Sequence, residues 1–297
     1  MPLDIFVPFW GDPGLLRETV DSVLAQECGD WLLTVVDDAY PDPGVARWFA
    51  TLDDPRLTYV RKPVNEGITA NFRTCASMAT QDRVVILGCD DLLEPGYVGV
   101  VLDAHAEFPD ASVIQPGVRV VDETGRVVRP LADRVKQQLL APRTGVRLLL
   151  SGEPLATGLL HGNWLYWPSL AFRRDVLAAT GFRETTPLIQ DLALVLDLVT
   201  AGGTVLVEPS VCFRYRRHGA SASTAALLDG TRFRWERAFF DRAAVQVGAL
   251  GWYRARRAAR LHLTSRLNAL SLVPRALLSA PRHLPTLLRH GIGPARP

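Results

Sequence analysis

Short apolar segments alternate with amphipathic segments through the first 91 residues, and this alternation restricts the fold more than any other feature of the sequence. Strand-like runs lie at residues 5–8, 31–36, 57–60 and 84–87. Between the last two runs, apolar residues recur at helical spacing from Ile68 to Ala79. Alternating strands and helices imply parallel strands joined by right-handed crossovers. We therefore predict an α/β fold with a mostly parallel central sheet flanked by helices.

The fourth strand-like run leads directly into an acidic pair, Asp90 and Asp91. In open α/β sheets, ligands bind beyond the carboxyl ends of the strands. Carboxylates at that edge are therefore placed to hold a cation that bridges to phosphate oxygens. A second pair, Asp37 and Asp38, follows the second strand, where an acid commonly accepts hydrogen bonds from a ribose or a base edge. For both pairs the alternative is a solvated turn or a helix N-cap.

Missing motifs argue against several classes of protein. The first strand is not followed by G-x-G-x-x-G, and G-x-x-x-x-G-K-[ST] does not occur, so neither a dinucleotide dehydrogenase nor a P-loop enzyme is expected. The four cysteines lack metal-ligand spacing, so we predict reduced thiols in a cytosolic protein. The chain begins with a strand-like run and has no apolar stretch of roughly 18 residues, so we expect neither export nor membrane insertion.

Two segments of the second half carry candidate residues for chemistry. Asn163 and Trp164 begin a segment with three large aromatic residues in four positions, which could stack on a sugar or acceptor or could fill the core. Asp191 lies in the first turn of a helix that is apolar on nearly all sides, so its carboxylate is expected to open into a dry crevice. The alternative is that Asp191 only complements the helix dipole.

A late strand predicted over residues 211–218 carries a basic face. With a period of two, Arg214, Arg216 and His218 point to the same side. Two guanidiniums and an imidazole on one face would suit a diphosphate leaving group.

The C-terminal part of the chain is basic and helical in composition. From residue 231 onward there are 13 Arg and no Lys against Glu236 and Asp241, a balance of +11, whereas residues 1–230 carry 2 − 11 = −9. A basic amphipathic helix with Trp252 at its margin could lie on an anionic membrane surface. The alternative is an Arg-rich solvated helix packed on the body. No recognised motif accompanies the charge, so we expect no nucleic-acid partner.

Several of these motifs, in this order, resemble the nucleotide-binding half of a family 2 glycosyltransferase with the GT-A fold. The resemblance spans roughly residues 3–223. It rests on Pro8-Phe9-Trp10, on Val35-Val36-Asp37-Asp38, on Asn65-x-Gly67-x-x-x-Asn71-Phe72 and on Leu87-Gly88-Cys89-Asp90-Asp91. From it we expect a GT-A-like catalytic domain over residues 1–223, with a nucleotide-binding half (1–95) and an acceptor and catalytic half (96–223). A basic helical extension is expected over residues 224–297.

The resemblance also implies roles for individual residues. It places these residues at the nucleotide sugar: Pro8, Phe9, Trp10, Asp38, Asn65, Gly67, Asn71 and Asp90. Asp191 would be the general base. The late segment Tyr215-Arg216-x-His218 resembles a family motif whose His helps to bind the metal, so Mn²⁺ or Mg²⁺ is expected at Asp90 and His218, with Asp91 as a further candidate.

Two positions depart from the family pattern. Gly88 stands where the first Asp of D-x-D-D is usual, and Gln190 stands where a Glu usually precedes the base. The expected activity is an inverting, metal-dependent transfer of one sugar from a UDP, dTDP or GDP sugar to an acceptor hydroxyl. The acceptor would be a cell-surface glycan, a lipid-linked molecule or a small molecule, and the enzyme would be cytoplasmic or peripheral on the inner face of the plasma membrane. The alternatives are a non-catalytic nucleotide-sugar or glycan-binding protein and a nucleotidylyltransferase. The latter is disfavoured because its Gly-rich loop is missing.

Overall fold

The computed structural model describes residues 1–183, 189–217, 231–279 and 281–293. Within these ranges the chain forms nine strands and thirteen α-helices. The strands are β1 (Leu3–Phe9), β2 (Trp31–Asp37), β3 (Leu57–Arg61), β4 (Arg83–Ile86), β5 (Leu92–Leu93), β6 (Val113–Val121), β7 (Leu148–Ser151), β8 (Ala171–Arg173) and β9 (Thr204–Arg216).

The helices cover both faces of the sheet and make up the whole described C-terminal part. They are α1 (Pro13–Leu24), α2 (Gly44–Phe49), α3 (Ile68–Met78), α4 (Tyr97–Glu107), α5 (Leu131–Val135), α6 (Gly152–His161), α7 (Arg174–Thr180), α8 (Gln190–Thr200), α9 (Thr231–Ala249), α10 (Tyr253–Leu261), α11 (Leu263–Ser271), α12 (Val273–Ser279) and α13 (Leu284–Ile292). A π-helix at Lys136–Leu140 follows α5, and 3-10 helices lie at Trp167–Ser169 and Pro281–His283.

The strands form one sheet in the order β3-β2-β1-β4-β8-β6-β9-β5, and β7 also pairs with β9. Strands β1 to β4 are mutually parallel, as is the long β6–β9 ladder, and the short ladders of β5, β7 and β8 are antiparallel. Most of the paired residues therefore lie in parallel ladders. The predicted α/β fold with a mostly parallel central sheet and a C-terminal helical extension is confirmed.

Both faces of the sheet are buried, which explains why its strands read as continuous apolar runs. In β1 the alternating residues Leu3, Ile5 and Val7 enter the layer that contains α1 and α4. Phe6, on the opposite face, joins the layer that contains α3, α6 and α8. The carboxyl ends of β1, β2 and β4 consequently meet at one edge of the sheet, where the predicted acidic residues lie.

The second half of the sheet differs from the pattern expected from sequence. Residues 113–121 form one long strand, and the strand predicted from residue 211 onward is the second part of a longer strand over residues 204–216. The register between them shifts at Gly117, where a Cβ would lie 3.0 Å from the carbonyl oxygens of Pro209 and Ser210. A glycine thus allows the two backbones to approach. The leucines at 148–150 lie in the edge strand β7, in which Leu149 is exposed.

The C-terminal helices pack on the body of the protein. Phe239, Val247 and Ala258, from α9 and α10, belong to the same buried cluster as the residues of α6 and α8. The later helices surround a smaller cluster built on Phe233 and Leu287. None of the helices in the described ranges is long and apolar enough to cross a membrane.

Candidate active site

The turn between β4 and β5 holds its two carboxylates in different environments. Asp91 is fully buried, and its Oδ1 accepts a hydrogen bond from the Arg216 backbone N–H at 2.8 Å. Burial, and then the negative charge of Asp90, raise the pKa of Asp91 well above its usual value. Asp90 is half-buried. Asp90 is therefore the more accessible carboxylate of this turn.

Gly88 leaves room for the Asp91 carboxylate, which turns inward. A Cβ at Gly88 would lie 2.5 Å from Oδ2 of Asp91 and 3.0 Å from Oδ1 of Asp90. A larger residue would have to displace one of these carboxylates. The close packing of Asp90 and Asp91 against this position therefore favours a glycine where the family usually has Asp.

Asp38, at the end of β2, holds the loop that precedes α3. Its Oδ2 accepts a hydrogen bond from the backbone N–H of Gly67 at 2.8 Å, and its Oδ1 accepts one from Glu66 at 3.1 Å. Lys62 lies 3.3 Å from Oδ1. Gly67 has a φ of 85°, which favours glycine. The buried Asp38 carboxylate therefore shapes this loop through its backbone.

The residues predicted at the nucleotide sugar separate into exposed and buried groups. Trp10 is 51% exposed and packs edge-on against Tyr40 at the end of β2, and Pro8 is partly exposed. Phe9 is completely buried, so its side chain fills the core instead of lining a pocket. Asn71 is also buried, and its Nδ2 donates to the Val36 carbonyl oxygen at 2.9 Å. Asn71 thus joins α3 to β2 and does not reach the cleft.

Asp191 is partly buried in the first turn of α8 and is oriented by Asn163. The Asn163 Nδ2 donates to Oδ2 of Asp191 at 3.1 Å. The neighbouring Gln190 accepts a hydrogen bond from the Thr69 hydroxyl, in the first turn of α3, at 2.9 Å. The first turns of α3 and α8 therefore meet, which brings Asp191 next to the loop that Asp38 holds.

Lys136 is a functional candidate that the sequence did not indicate. It begins the π-helix, a geometry often found at functional sites. Its Nζ donates to the Leu165 carbonyl oxygen and lies 3.9 Å from the centre of the Tyr166 ring. Burial lowers the pKa of Lys136 to about 8, and the negative charge of Asp191 opposes that shift.

Side chains from three elements connect Lys136 with the acidic turn, the β4–β5 turn that holds Asp90 and Asp91. Asp133 accepts two hydrogen bonds from Arg217, at 3.0 and 2.9 Å, and one from the Tyr166 hydroxyl at 3.0 Å. The positive charge of Arg217 in turn acts on both Asp91 and Lys136. Asp91 and Asp191 are therefore linked through a short series of charged residues. No short sequence motif would have indicated this series, since its members are far apart in the chain.

Arg214 and Arg216 do not form the predicted diphosphate-binding face. Arg214 donates two hydrogen bonds to the Glu94 carboxylate, at 2.8 and 2.7 Å. Arg216 is buried, and it donates to the backbone carbonyls of Asp90 and Glu123 and to the Glu18 carboxylate. Both guanidiniums are engaged in contacts around the β4–β5 turn, Arg216 in a buried position and Arg214 in a partly exposed one.

Two further predictions concern residues of the second half. Trp164 is 4% exposed and belongs to the main core, which favours the alternative that it fills the core; its contact with an acceptor stays a prediction. Asn163, which was predicted together with Trp164, donates a hydrogen bond to Asp191 as described above. His218 lies outside the described residues.

The acidic turn fits a divalent cation that shares its ligands with a substrate. Among the described residues, groups of three or more His, Cys, Asp or Glu side chains that could hold a metal do not occur. However, Mg²⁺ commonly binds through one or two carboxylates together with substrate phosphates and water. Asp90 and Asp91 are adjacent carboxylates, and burial, followed by repulsion from Asp90, raises the pKa of Asp91. A cation would relieve that repulsion.

Known proteins resemble this chain in both sequence and fold. Residues 4–171 match the model of the family described as Glycosyl transferase family 2. The chain is 27% identical over 106 residues to the putative colanic acid biosynthesis glycosyl transferase WcaA of Escherichia coli, covering 35% of this chain and 38% of that protein. It is 29% identical over 115 residues to the putative glycosyltransferase EpsE of Bacillus subtilis, covering 37% and 40%. The chain thus spans less than half the length of either relative.

The fold also has a solved counterpart. The structure of S. aureus TarS 1–349 in complex with UDP-GlcNAc superposes with a TM-score of 0.70 at 14% sequence identity, covering 98% of this chain and 79% of that one. This likeness confirms a GT-A-like arrangement of the sheet and its helices. Because the family model matches more than half of the sequence, the chain belongs to glycosyl transferase family 2.

Proposed function

We propose that this glycosyltransferase moves one sugar from a nucleotide diphosphate sugar to an acceptor hydroxyl with inversion at the anomeric carbon. The observation that carries the proposal is the environment of Asp191. Asn163 orients its carboxylate, and Gln190 connects its helix to the first turn of α3. A carboxylate held beside the loop expected at the donor sugar suits a general base.

Asp191 would take the proton of the acceptor hydroxyl as that oxygen attacks the anomeric carbon and the diphosphate leaves from the opposite face. Asn163 bonds only Oδ2 of the carboxylate, and Oδ1 makes no hydrogen bond within the described residues. This oxygen is thus available for an acceptor. The efficiency of such a base depends first on its geometry and then on its pKa.

We also propose a Mn²⁺ or Mg²⁺ ion at Asp90, with Asp91 and His218 as further candidate ligands. When bound, such a cation supplies Lewis-acid neutralisation of charge on a diphosphate. Titration of the protein with Mn²⁺ by calorimetry tests this proposal, and Asp90→Asn should abolish the binding signal.

A UDP sugar is the first donor to test. The TarS structures contain UDP-GlcNAc and UDP, and the ends of β1 and β2 offer the exposed Trp10 next to Tyr40. Thermal unfolding in the presence of UDP, dTDP and GDP sugars compares the donors, since a ligand that binds only the folded state raises its stability.

The test of the catalytic proposal is Asp191→Asn. This variant keeps the hydrogen-bonding shape of the side chain but is not basic, so kcat for transfer should fall by about 10² to 10⁴, the usual contribution of a general base. Donor affinity should stay close to that of the wild type. Asp175→Asn is the matched control, because Asp175 occupies the first turn of α7 and is exposed. Near-normal turnover by Asp191→Asn would remove Asp191 as the base.

A non-catalytic nucleotide-sugar or glycan-binding protein is the second candidate, suggested by Gly88 and Gln190. Both residues fit their surroundings, since Gly88 leaves room for two carboxylates and Gln190 accepts a hydrogen bond from Thr69. Donor binding without hydrolysis or transfer, across many acceptors, would favour this candidate.

We propose that the Arg-rich helices also meet an anionic membrane surface. Tyr253 is 77% exposed at the start of α10, next to the exposed Arg254. Sedimentation with vesicles of phosphatidylglycerol, but not with pure phosphatidylcholine, is the expected result.

A further inference from the structure

A groove between α9 and α13 lies in the helical extension. Its volume is about 270 Å³, and its lining includes Phe233, three arginines (Arg234, Arg237 and Arg289) and His290. Carboxylates are absent from the lining among the described residues. The groove shares no lining residue with the acidic turn or with the surroundings of Asp191.

The walls of this arginine groove are held in place by contacts that do not depend on a ligand. Arg237 donates from Nη2 to the Arg289 carbonyl oxygen at 2.7 Å, which joins α9 to α13. The Phe233 and His290 rings lie 5.0 Å apart, and both residues are almost completely buried. The groove is therefore preformed, which lowers the entropic cost of binding.

The Glu236 carboxylate on α9 is engaged by two neighbours. It accepts a hydrogen bond from Arg232 at 2.7 Å and another from the Ser265 hydroxyl. Ser265 in turn contacts Nε2 of the lining residue His290, so Glu236 reaches the groove lining through Ser265. The Arg289 side chain, in contrast, has no hydrogen-bond or ion-pair partner among the described residues.

His290 is a buried member of the groove lining. It is 3% exposed, and its Nε2 lies 2.7 Å from the Ser265 hydroxyl. Because that hydroxyl donates to Glu236, Nε2 donates to Ser265, and this chain of contacts fixes the ring. The arginines, and not His290, are therefore the groups of the groove that suit an anion.

We propose that the arginine groove binds a phosphate group carried by a small molecule or by a lipid head group. Guanidiniums match phosphate oxygens in bidentate geometry and remain charged at all relevant pH values. The volume lies just below the roughly 300 to 1,000 Å³ of pockets for drug-sized ligands. It therefore suits a phosphate-bearing group rather than a whole nucleotide sugar.

Isothermal titration with inorganic phosphate and pyrophosphate tests the proposal on the full chain. Arg289→Gln should weaken binding about tenfold or more, since a hydrogen bond to a charged group contributes about that factor. Arg47→Gln is the matched control, because Arg47 is an exposed arginine on α2, outside both the groove and the helical extension. Circular dichroism and thermal unfolding check that both variants fold. Thr286→Val is a second groove variant, which changes the lining but leaves the arginines unchanged.

Vesicles distinguish the two sources of phosphate. A lipid source predicts that phosphatidic acid vesicles bind the wild type, that Arg289→Gln reduces this binding, and that phosphatidylcholine vesicles do not bind. If the phosphate belongs to a soluble molecule, phosphate or pyrophosphate should bind, and Arg289→Gln should not change the binding of the protein to vesicles. The proposal is wrong if the wild type binds none of these probes, or if Arg47→Gln and Arg289→Gln weaken binding equally.

Discussion

The proposed donor side and the proposed base side of the candidate site are held in different ways. On the donor side, carboxylates at strand ends accept backbone N–H groups, as Asp38 does from Gly67 and Asp91 does from Arg216. On the base side, Asp191 depends on side chains, with Asn163 bonded to it and Lys136 acting through its charge. The first arrangement is set by strand geometry and the second by distant segments. Mutations on the donor side should therefore cost stability, whereas those on the base side should change the reaction.

Asp38→Ala should have the largest effect on stability. It removes two hydrogen bonds to the loop before α3 and leaves the buried Lys62 with only Glu66 as a partner. The free energy of unfolding should fall by about 2 to 4 kcal/mol, because a buried charge loses one of its partners. Urea denaturation measures this change. A loss as small as that of the exposed control Asp110→Ala would contradict the structural role of Asp38.

Gly88→Asp restores the family pattern and should still destabilise the protein. The new Cβ would meet Oδ2 of Asp91 at 2.5 Å, so either that carboxylate or the turn has to move. Overpacking of this kind costs about 1 to 3 kcal/mol. Denaturation and transfer assays measured together check the prediction. A stable variant with higher activity would mean that the turn rearranges readily and that Gly88 is not required by packing.

Lys136→Met should change the pH dependence of both stability and transfer. The pKa of Lys136 falls to about 8 in the folded protein from 10.5. The folded state therefore releases its proton first, and this residue makes stability rise between about pH 8 and 10. The variant should lack that rise.

In the same variant, kcat for transfer should fall more than the affinity for the donor. The positive charge of Lys136 acts on Asp191 and is lost as the pH rises through about 8, so wild-type kcat should fall over that range. In Lys136→Met the alkaline decrease should be absent, and kcat at neutral pH should be about tenfold lower, a modest share of what a general base contributes. An unchanged pH profile would show that Lys136 only fills space.

Arg214→Gln should have the smallest effect. Its guanidinium is partly exposed and pairs with Glu94, and such pairs contribute about 0 to 1 kcal/mol. The KM for the donor should stay close to the wild-type value. A large increase in that KM, measured by initial rates, would support the diphosphate-binding role predicted from sequence and contradict the structural one.

Local sequence patterns predicted much of the first half of the molecule. The run from Val84 to Leu87 and the alternation before it indicated the parallel strands, and the acids that follow had to lie at the carboxyl edge. In contrast, the alternation from residue 211 onward did not reveal that the Arg216 side chain turns inward to backbone carbonyls while Arg214 stays partly exposed. The aromatic segment did not decide the burial of Trp164 either, since an aromatic residue suits a core as well as a sugar.

The sequence by itself determined the α/β class, the acidic edge of the sheet and the first-turn position of Asp191, because each depends on neighbours within a few residues. Only the tertiary structure decided that Asn163 and Lys136 act near Asp191 and that arginines of α9 and α13 share one groove. Those contacts join residues tens of positions apart, and packing of whole elements, rather than local periodicity, brings them together.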